Sequence, residues 1–265
     1  MPATNQFQKK YSERDGSSCY IDPDALQQAK TPGYQHKLAA LSHVHFKVPA
    51  SERSQYLDVG CGSGGFTRDA LLEHVRPCRR IVAVDRSETL IKYAQEHASH
   101  PDISYELADI EVGDPQPLLA KYGAFSRVYS FLALQCVRDL KAAYRNMFHL
   151  LEDGGECAIV SLTGSTITDV MYQLSNMEQW RDYVPDPREL YSERFLFCQP
   201  VVQEKVISSE KDAVLAAGLE LVSCSVYDSM WTLPDIDAWM GMRSPYFLPL
   251  DYYQVHAQII KLFIL

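Results

Sequence analysis

The segment from Gln55 to Gly65 reads Gln-Tyr-Leu-Asp-Val-Gly-Cys-Gly-Ser-Gly-Gly, and it constrains the fold more than any other part of the chain. An apolar run that carries one acid and then breaks into closely spaced glycines is a buried strand ending in a tight turn before a helix. Glycine suits such a turn because a backbone that takes positive φ, and lets a ligand lie against it, leaves no room for Cβ. The loop opens onto a helix expected over Phe66 to His74, whose first N–H groups face whatever the loop holds. The Gly60, Gly62, Gly65 spacing alone fits a dinucleotide fold equally well. Asp58, two residues before the first glycine, shifts the balance away from that reading.

Two further acids stand at the ends of the next apolar runs. Arg80 to Asp85 is short and β-branched, a second parallel strand closed by Asp85. An acid in that place of a nucleotide-binding α/β unit accepts hydrogen bonds from a ribose diol. A helix is expected over Glu88 to Ala98, then a third strand over Ile103 to Ile110 containing Asp109. Each acid taken singly is equally well a helix or turn cap; three at three successive strand ends are not.

The remainder alternates. Strands are expected over Ser126 to Ser130, Glu156 to Leu162 and Leu219 to Tyr227, and helices over Leu118 to Tyr122, Lys141 to Leu151 and Ser209 to Ala217. Leu151 to Gly155 reads as a glycine turn closing the helix before it. The fold class is therefore α/β, a doubly wound and mostly parallel sheet of Rossmann-like type. Residues 1–24 form a polar arm, and residues 25–265 one domain. Ala25 to Val48 has helical spacing broken at Thr31-Pro32-Gly33, hence two short N-terminal helices. Asp169 to Tyr183 is an amphipathic helix within a cap over about 165–208, placed to overhang the ligand edge. The apolar end, Gln258 to Leu265, is either the last strand, inserted antiparallel, or an exposed tail.

Composition excludes several function classes. The net charge of −9 and pI near 5.4 argue against nucleic acid as a partner, which needs a basic surface. The seven cysteines are scattered and never form Cys-x-x-Cys, so no zinc framework is expected and reduced thiols suit a cytoplasmic location. No metal site, signal peptide or membrane span is expected, and a homodimer is left open.

The pattern Asp58-x-Gly60-x-Gly62-x-Gly64 resembles motif I of the class I S-adenosylmethionine-dependent methyltransferases. That resemblance implies S-adenosyl-L-methionine as cofactor. Asp58 would hold its cationic amino end and Asp85 the ribose. Asp109 would take the adenine amino group, with Ile110 against the ring. Gly60, Cys61, Gly62, Gly64, Arg86 and Ser130 complete the implied cofactor set. Tyr129 to Arg138, Asp169 to Tyr183 and Ser223 to Trp239 are more narrowly similar to the arthropod juvenile hormone acid methyltransferases, which esterify farnesoic or juvenile hormone acid. This implies a small apolar carboxylic acid as substrate.

A sulfonium methyl is already activated, and a carboxylate with pKa about 4 is already ionised, so no general base is needed. Neutral amide donors suit such an acceptor. By resemblance these are Gln35 (with Gln28 as the alternative) and Gln135, the latter because the family's Leu-His-Trp-Val is replaced by Leu134-Gln135-Cys136-Val137. Phe131, Cys136, Met171, Leu174 and Trp180 are the expected pocket wall, with Leu132, Tyr183, Trp231 and Trp239 as further candidates. The alternatives are a methyltransferase for another small acceptor, a cofactor-binding relative without turnover, and, third, a dinucleotide oxidoreductase.

Overall fold

The computed structural model describes residues 32–182, 184, 186–190, 203–233 and 253–264. The expected polar arm, Gln28, Tyr183 and Trp239 lie outside them. Seven strands form one sheet: β1 (Gln55–Val59), β2 (Arg80–Asp85), β3 (Ile103–Leu107), β4 (Phe125–Phe131), β5 (Leu151–Ser165), β6 (Leu221–Leu233) and β7 (Tyr253–Ile264). Their order is β3-β2-β1-β4-β5-β7-β6. The first five pair in parallel, and β7 runs antiparallel between β5 and β6. The apolar run at the end of the chain is thus an inserted strand, Ile264 opposite Cys157 on one side and Leu221 on the other.

Strand alternation divides the core between two faces. Tyr56, Ile81, Ala83, Tyr129, Phe131, Ala158 and Val160 pack in one cluster, with Ala40, Leu41, Leu71, Leu72, Ile91 and Ala94 from the helices. Leu57, Val59, Val82, Val84, Val128, Cys157 and Ile159 point the other way, onto Ala143, Tyr144, Met147, Val206 and Val214. Helices therefore cover both faces, as the near-continuous apolar strands demand.

The first helix, α1 (Pro32–His43), begins at Pro32. The proline expected to interrupt a helix instead starts one, since a first-turn residue needs no N–H partner. The helix after β1, α2, contains a π-helical turn, Thr67–Leu71, running into Leu72–Val75. Next come α3 (Glu88–His97), capped by Ser87 whose hydroxyl accepts from Leu90 N, α4 (Gln116–Tyr122), and α5 (Leu140–Leu150), capped by Asp139 accepting from Ala142 N. The expected turn at Leu151 to Gly155 is instead a bulged entry into β5. Its register slips between the pairs Phe125–Leu151 and Arg127–Glu156 while Gly154 takes φ +76°.

After β5, α6 (Thr166–Ser175) is shorter than the expected helix and gives way to turns through residue 182. A single turn, α7 (Pro187–Leu190), follows. The last helix, α8 (Gln203–Ala216), begins earlier than expected and packs on the sheet through Val206, Ala213 and Val214.

Candidate functional site

Strand order reverses between β1 and β4, and a cleft opens there at the carboxyl ends of the strands. Its floor is the loop Gly60 to Ser63. Gly60 and Cys61 donate their N–H groups to Val84 O at 2.8 and 3.0 Å, which pins the loop across the end of β2. At Gly60 φ is +75°, and a Cβ there would lie 2.2 Å from Ala133 Cβ. At Gly64 φ is +77°, and a Cβ would lie 2.6 Å from the Tyr105 hydroxyl. Only glycine threads between these neighbours.

Asp85 stands beside the loop. Its Oδ2 accepts from Gly62 N at 3.0 Å and its Oδ1 from Ser87 N at 2.9 Å. Burial raises its carboxyl above the usual range, and these two backbone donors oppose that shift. Asp109 Oδ1 accepts from Glu111 N at 2.8 Å, shaping the turn after β3. Asn146 Nδ2 donates to Ile110 O at 2.9 Å and Gly113 O at 3.1 Å, so α5 holds the same turn in place.

Asp58 is 3% exposed and sits behind the loop rather than in the cleft wall. Its Oδ2 accepts from the Thr67 hydroxyl at 2.6 Å. Burial pushes its carboxyl up to about 6, with the Thr67 bond and the nearby Lys37 ammonium pulling it back. Ser130 is fully buried and donates to Val59 O at 3.0 Å, tying β4 to β1.

The opposite wall follows β4. Leu132 takes φ +59°, a left-handed conformation that is strained for a branched side chain. It is held from both sides: its N–H donates to Val160 O at 2.7 Å, and its carbonyl accepts from Gln135 Nε2 at 2.6 Å. Gln135 Oε1 in turn accepts from the Ser161 hydroxyl at 3.3 Å. The Gln135 amide is 8% exposed and shapes the wall from behind.

Of the residues expected from sequence, Gly60, Cys61, Gly62, Asp85, Arg86, Asp109, Ile110, Phe131 and Cys136 line the cleft together. Asp58, Gly64, Ser130 and Gln135 support it from behind. Gln35 is exposed on α1 and is not part of the cleft wall. Met171 is buried, Leu174 and Trp180 half-buried, and none of the three lines this cleft. Sequence reasoning missed Lys37, Phe66 and Leu90, which do line it. Among the described residues no group of three or more His, Cys, Asp or Glu could hold a metal. Nor is any described helix long and apolar enough to cross a membrane.

The cradle fits an adenosyl cofactor with a charged amino-acid tail. Gly60 and Gly62 present bare backbone to the cleft, two strand-end acids face it, and Ile110 and Leu90 offer apolar surface.

Residues 50–210 match the family model described as "Methyltransferase domain". The chain is 35% identical over 128 residues to the juvenile hormone acid O-methyltransferase of Bombyx mori, covering 48% of this chain and 45% of that protein. It is 34% identical over 113 residues to a trans-aconitate 2-methyltransferase of Variovorax paradoxus (strain S110), covering 43% of this chain and 40% of that one. The matched region thus spans less than half the length of these curated relatives. A solved methyltransferase-fold structure from Bacillus halodurans C-125 superposes with a TM-score of 0.55 at 16% identity, over 86% of this chain and 98% of that one. The chain belongs to the methyltransferase-domain family, and its cofactor is S-adenosyl-L-methionine.

Proposed function

We propose that this protein transfers a methyl group to the carboxylate of a small apolar acid, of isoprenoid type. The observation that carries the reading is the character of the cleft beyond the cofactor fingerprint. From the end of β4 the wall is Phe131, Leu132, Ala133, Leu134, Cys136 and Val137, without a histidine or other neutral-pH base. A hydroxyl or amine acceptor needs a base to take its proton; a carboxylate does not. The named acceptors of the Bombyx and Variovorax relatives, juvenile hormone acid and trans-aconitate, are both carboxylic acids. The net charge of −9 is in keeping with a small-molecule acceptor rather than a nucleic acid.

When bound, S-adenosyl-L-methionine supplies an activated methyl on a sulfonium. The chain's own work is positional. Asp85 takes the ribose, and Asp109 with Ile110 receives the adenine. The glycine loop admits the ligand backbone-close, and the β4 wall excludes water. Holding an acceptor oxygen about 3 Å from the methyl converts an encounter into a near-unimolecular step, with a gain of several kcal/mol. Neither amide proposed as a carboxylate donor lies in the cleft wall. Residues two apart on a helix point to different sides, so Gln35 diverges from the cleft-facing Lys37. Gln135 spends its N–H₂ on Leu132 O. We therefore assign Gln135 a supporting role and rest the acceptor reading on the apolar wall.

The test is transfer of labelled methyl from S-adenosyl-L-methionine to a panel of isoprenoid acids, fatty acids, a tricarboxylate, and a sterol as the uncharged control. Esterification of an isoprenoid acid supports the reading. Transfer only to the tricarboxylate or the sterol overturns it.

A further inference from the structure

We propose that Lys37, on the helix ahead of the first strand, is the counter-ion for the α-carboxylate of the cofactor's methionyl tail. The proposal rests on the assignment of the cleft to S-adenosyl-L-methionine.

The argument starts from charge. The tail of that molecule is a zwitterion, and an acid near the glycine loop answers only its ammonium half. The carboxylate half needs a cation, because an ionised group taken out of water without a partner is strongly disfavoured. Among the described residues two cations line the cleft, Lys37 and Arg86. Arg86 belongs to the adenosine end: it follows Asp85 directly, and its Nη1 donates to Cys136 O at 3.4 Å. Lys37 belongs to the other end. Its Nζ stands 5.0 Å over the Phe66 ring, and the next residue, Thr67, carries the hydroxyl that binds Asp58. The order along the cleft is then Asp109 and Ile110 for the base, Asp85 for the sugar, and Phe66 and Lys37 for the tail, with Asp58 behind the loop at that same end.

Lys37 is also poised for a ligand. Among the described residues it makes no ion pair within bonding distance; its recorded contact is with the face of Phe66. Burial pushes its ammonium below the ordinary lysine value, while Asp58 and Cys61 pull it back up. A half-buried cation without a bonded anion is a costly arrangement, relieved when a carboxylate arrives. The helix is firmly placed for this: Ala40 and Leu41 anchor it in the core, and Tyr34 packs edge-on against Phe66 at 5.3 Å. The purely structural alternative is that Lys37 merely covers Phe66, and it predicts no preference for ligands that carry a tail.

The experiment is calorimetric titration of wild type, Lys37→Met and Lys37→Arg with three ligands. These are S-adenosyl-L-methionine, S-adenosyl-L-homocysteine and 5′-methylthioadenosine, which lacks the amino-acid tail. Lys37→Met is expected to weaken the first two at least tenfold and to leave the third within twofold, with Lys37→Arg restoring most of the loss. Equal weakening of all three, or of none, overturns the proposal. If wild type binds none of them, the cofactor assignment falls and the proposal with it, a result distinct from equal weakening.

Discussion

The backbone N–H of Gly62 donates to Asp85 Oδ2 across 3.0 Å, so the acid that ends β2 grips the glycine loop that follows β1. One side chain thus shapes the cradle and lines the cleft.

Asp85→Ala is expected to weaken cofactor binding by roughly 1–3 kcal/mol, the cost of leaving hydrogen-bond donors without their acceptor. Asp85→Asn keeps one carbonyl acceptor and should lose less. Calorimetry on both variants measures the difference, and an unchanged affinity in Asp85→Ala removes the ribose assignment.

Gly60→Ala places a methyl 2.2 Å from Ala133 Cβ at φ +75°. Holding an alanine there costs about 1–3 kcal/mol before the clash is counted. A lower melting temperature together with lost cofactor binding is expected; normal behaviour in both would show that the loop tolerates a side chain.

Burial sets the pH response of Asp58. Its carboxyl is raised from 3.8 to about 6 in the folded chain, so the native state binds extra protons between those values. The resulting contribution is fully present below the unfolded value and is lost as pH rises through about 6. The loss amounts to up to about 3 kcal/mol. Denaturant titrations should therefore show wild type gaining stability relative to Asp58→Asn on going from neutral pH to about pH 4.5. A pH-independent difference between the two proteins contradicts this.

Gln135→Ala frees the carbonyl of Leu132, a residue held at φ +59°, and leaves the Ser161 hydroxyl without its amide. The expected cost is about 1–3 kcal/mol of stability, because the part-buried Leu132 carbonyl and the buried Ser161 hydroxyl each lose a hydrogen bond. Any fall in turnover should accompany a fall in melting temperature. Lost turnover at unchanged stability would instead place the amide at the acceptor.

The parts of the molecule that were legible in the sequence are local. Asp58 to Gly64, Asp85 and Asp109 announce a strand, a turn and a ligand edge within a few residues each, and nine of the fifteen expected cofactor or pocket residues outside the two glutamines line one cleft. What escaped depends on contacts between distant segments. Nothing near Gln258 to Ile264 decides between an inserted antiparallel strand and an exposed tail; the register with β5 and β6 does. Pro32 reads equally as a break or as a start until the helix after it is seen to dock through Ala40 and Leu41. Lys37 meets Phe66 because α1 packs over α2, a juxtaposition that no spacing along the chain encodes. Gln35 is singled out by resemblance, yet it is exposed on its helix and is not part of the cleft wall.

The most direct test of the account is calorimetric titration of the wild-type protein with S-adenosyl-L-methionine, run beside NADH and repeated on Asp85→Ala. One molecule of S-adenosyl-L-methionine bound per chain, no heat from NADH and a weakened Asp85→Ala are the predicted results. Binding of NADH without S-adenosyl-L-methionine would contradict the assignment of the cleft.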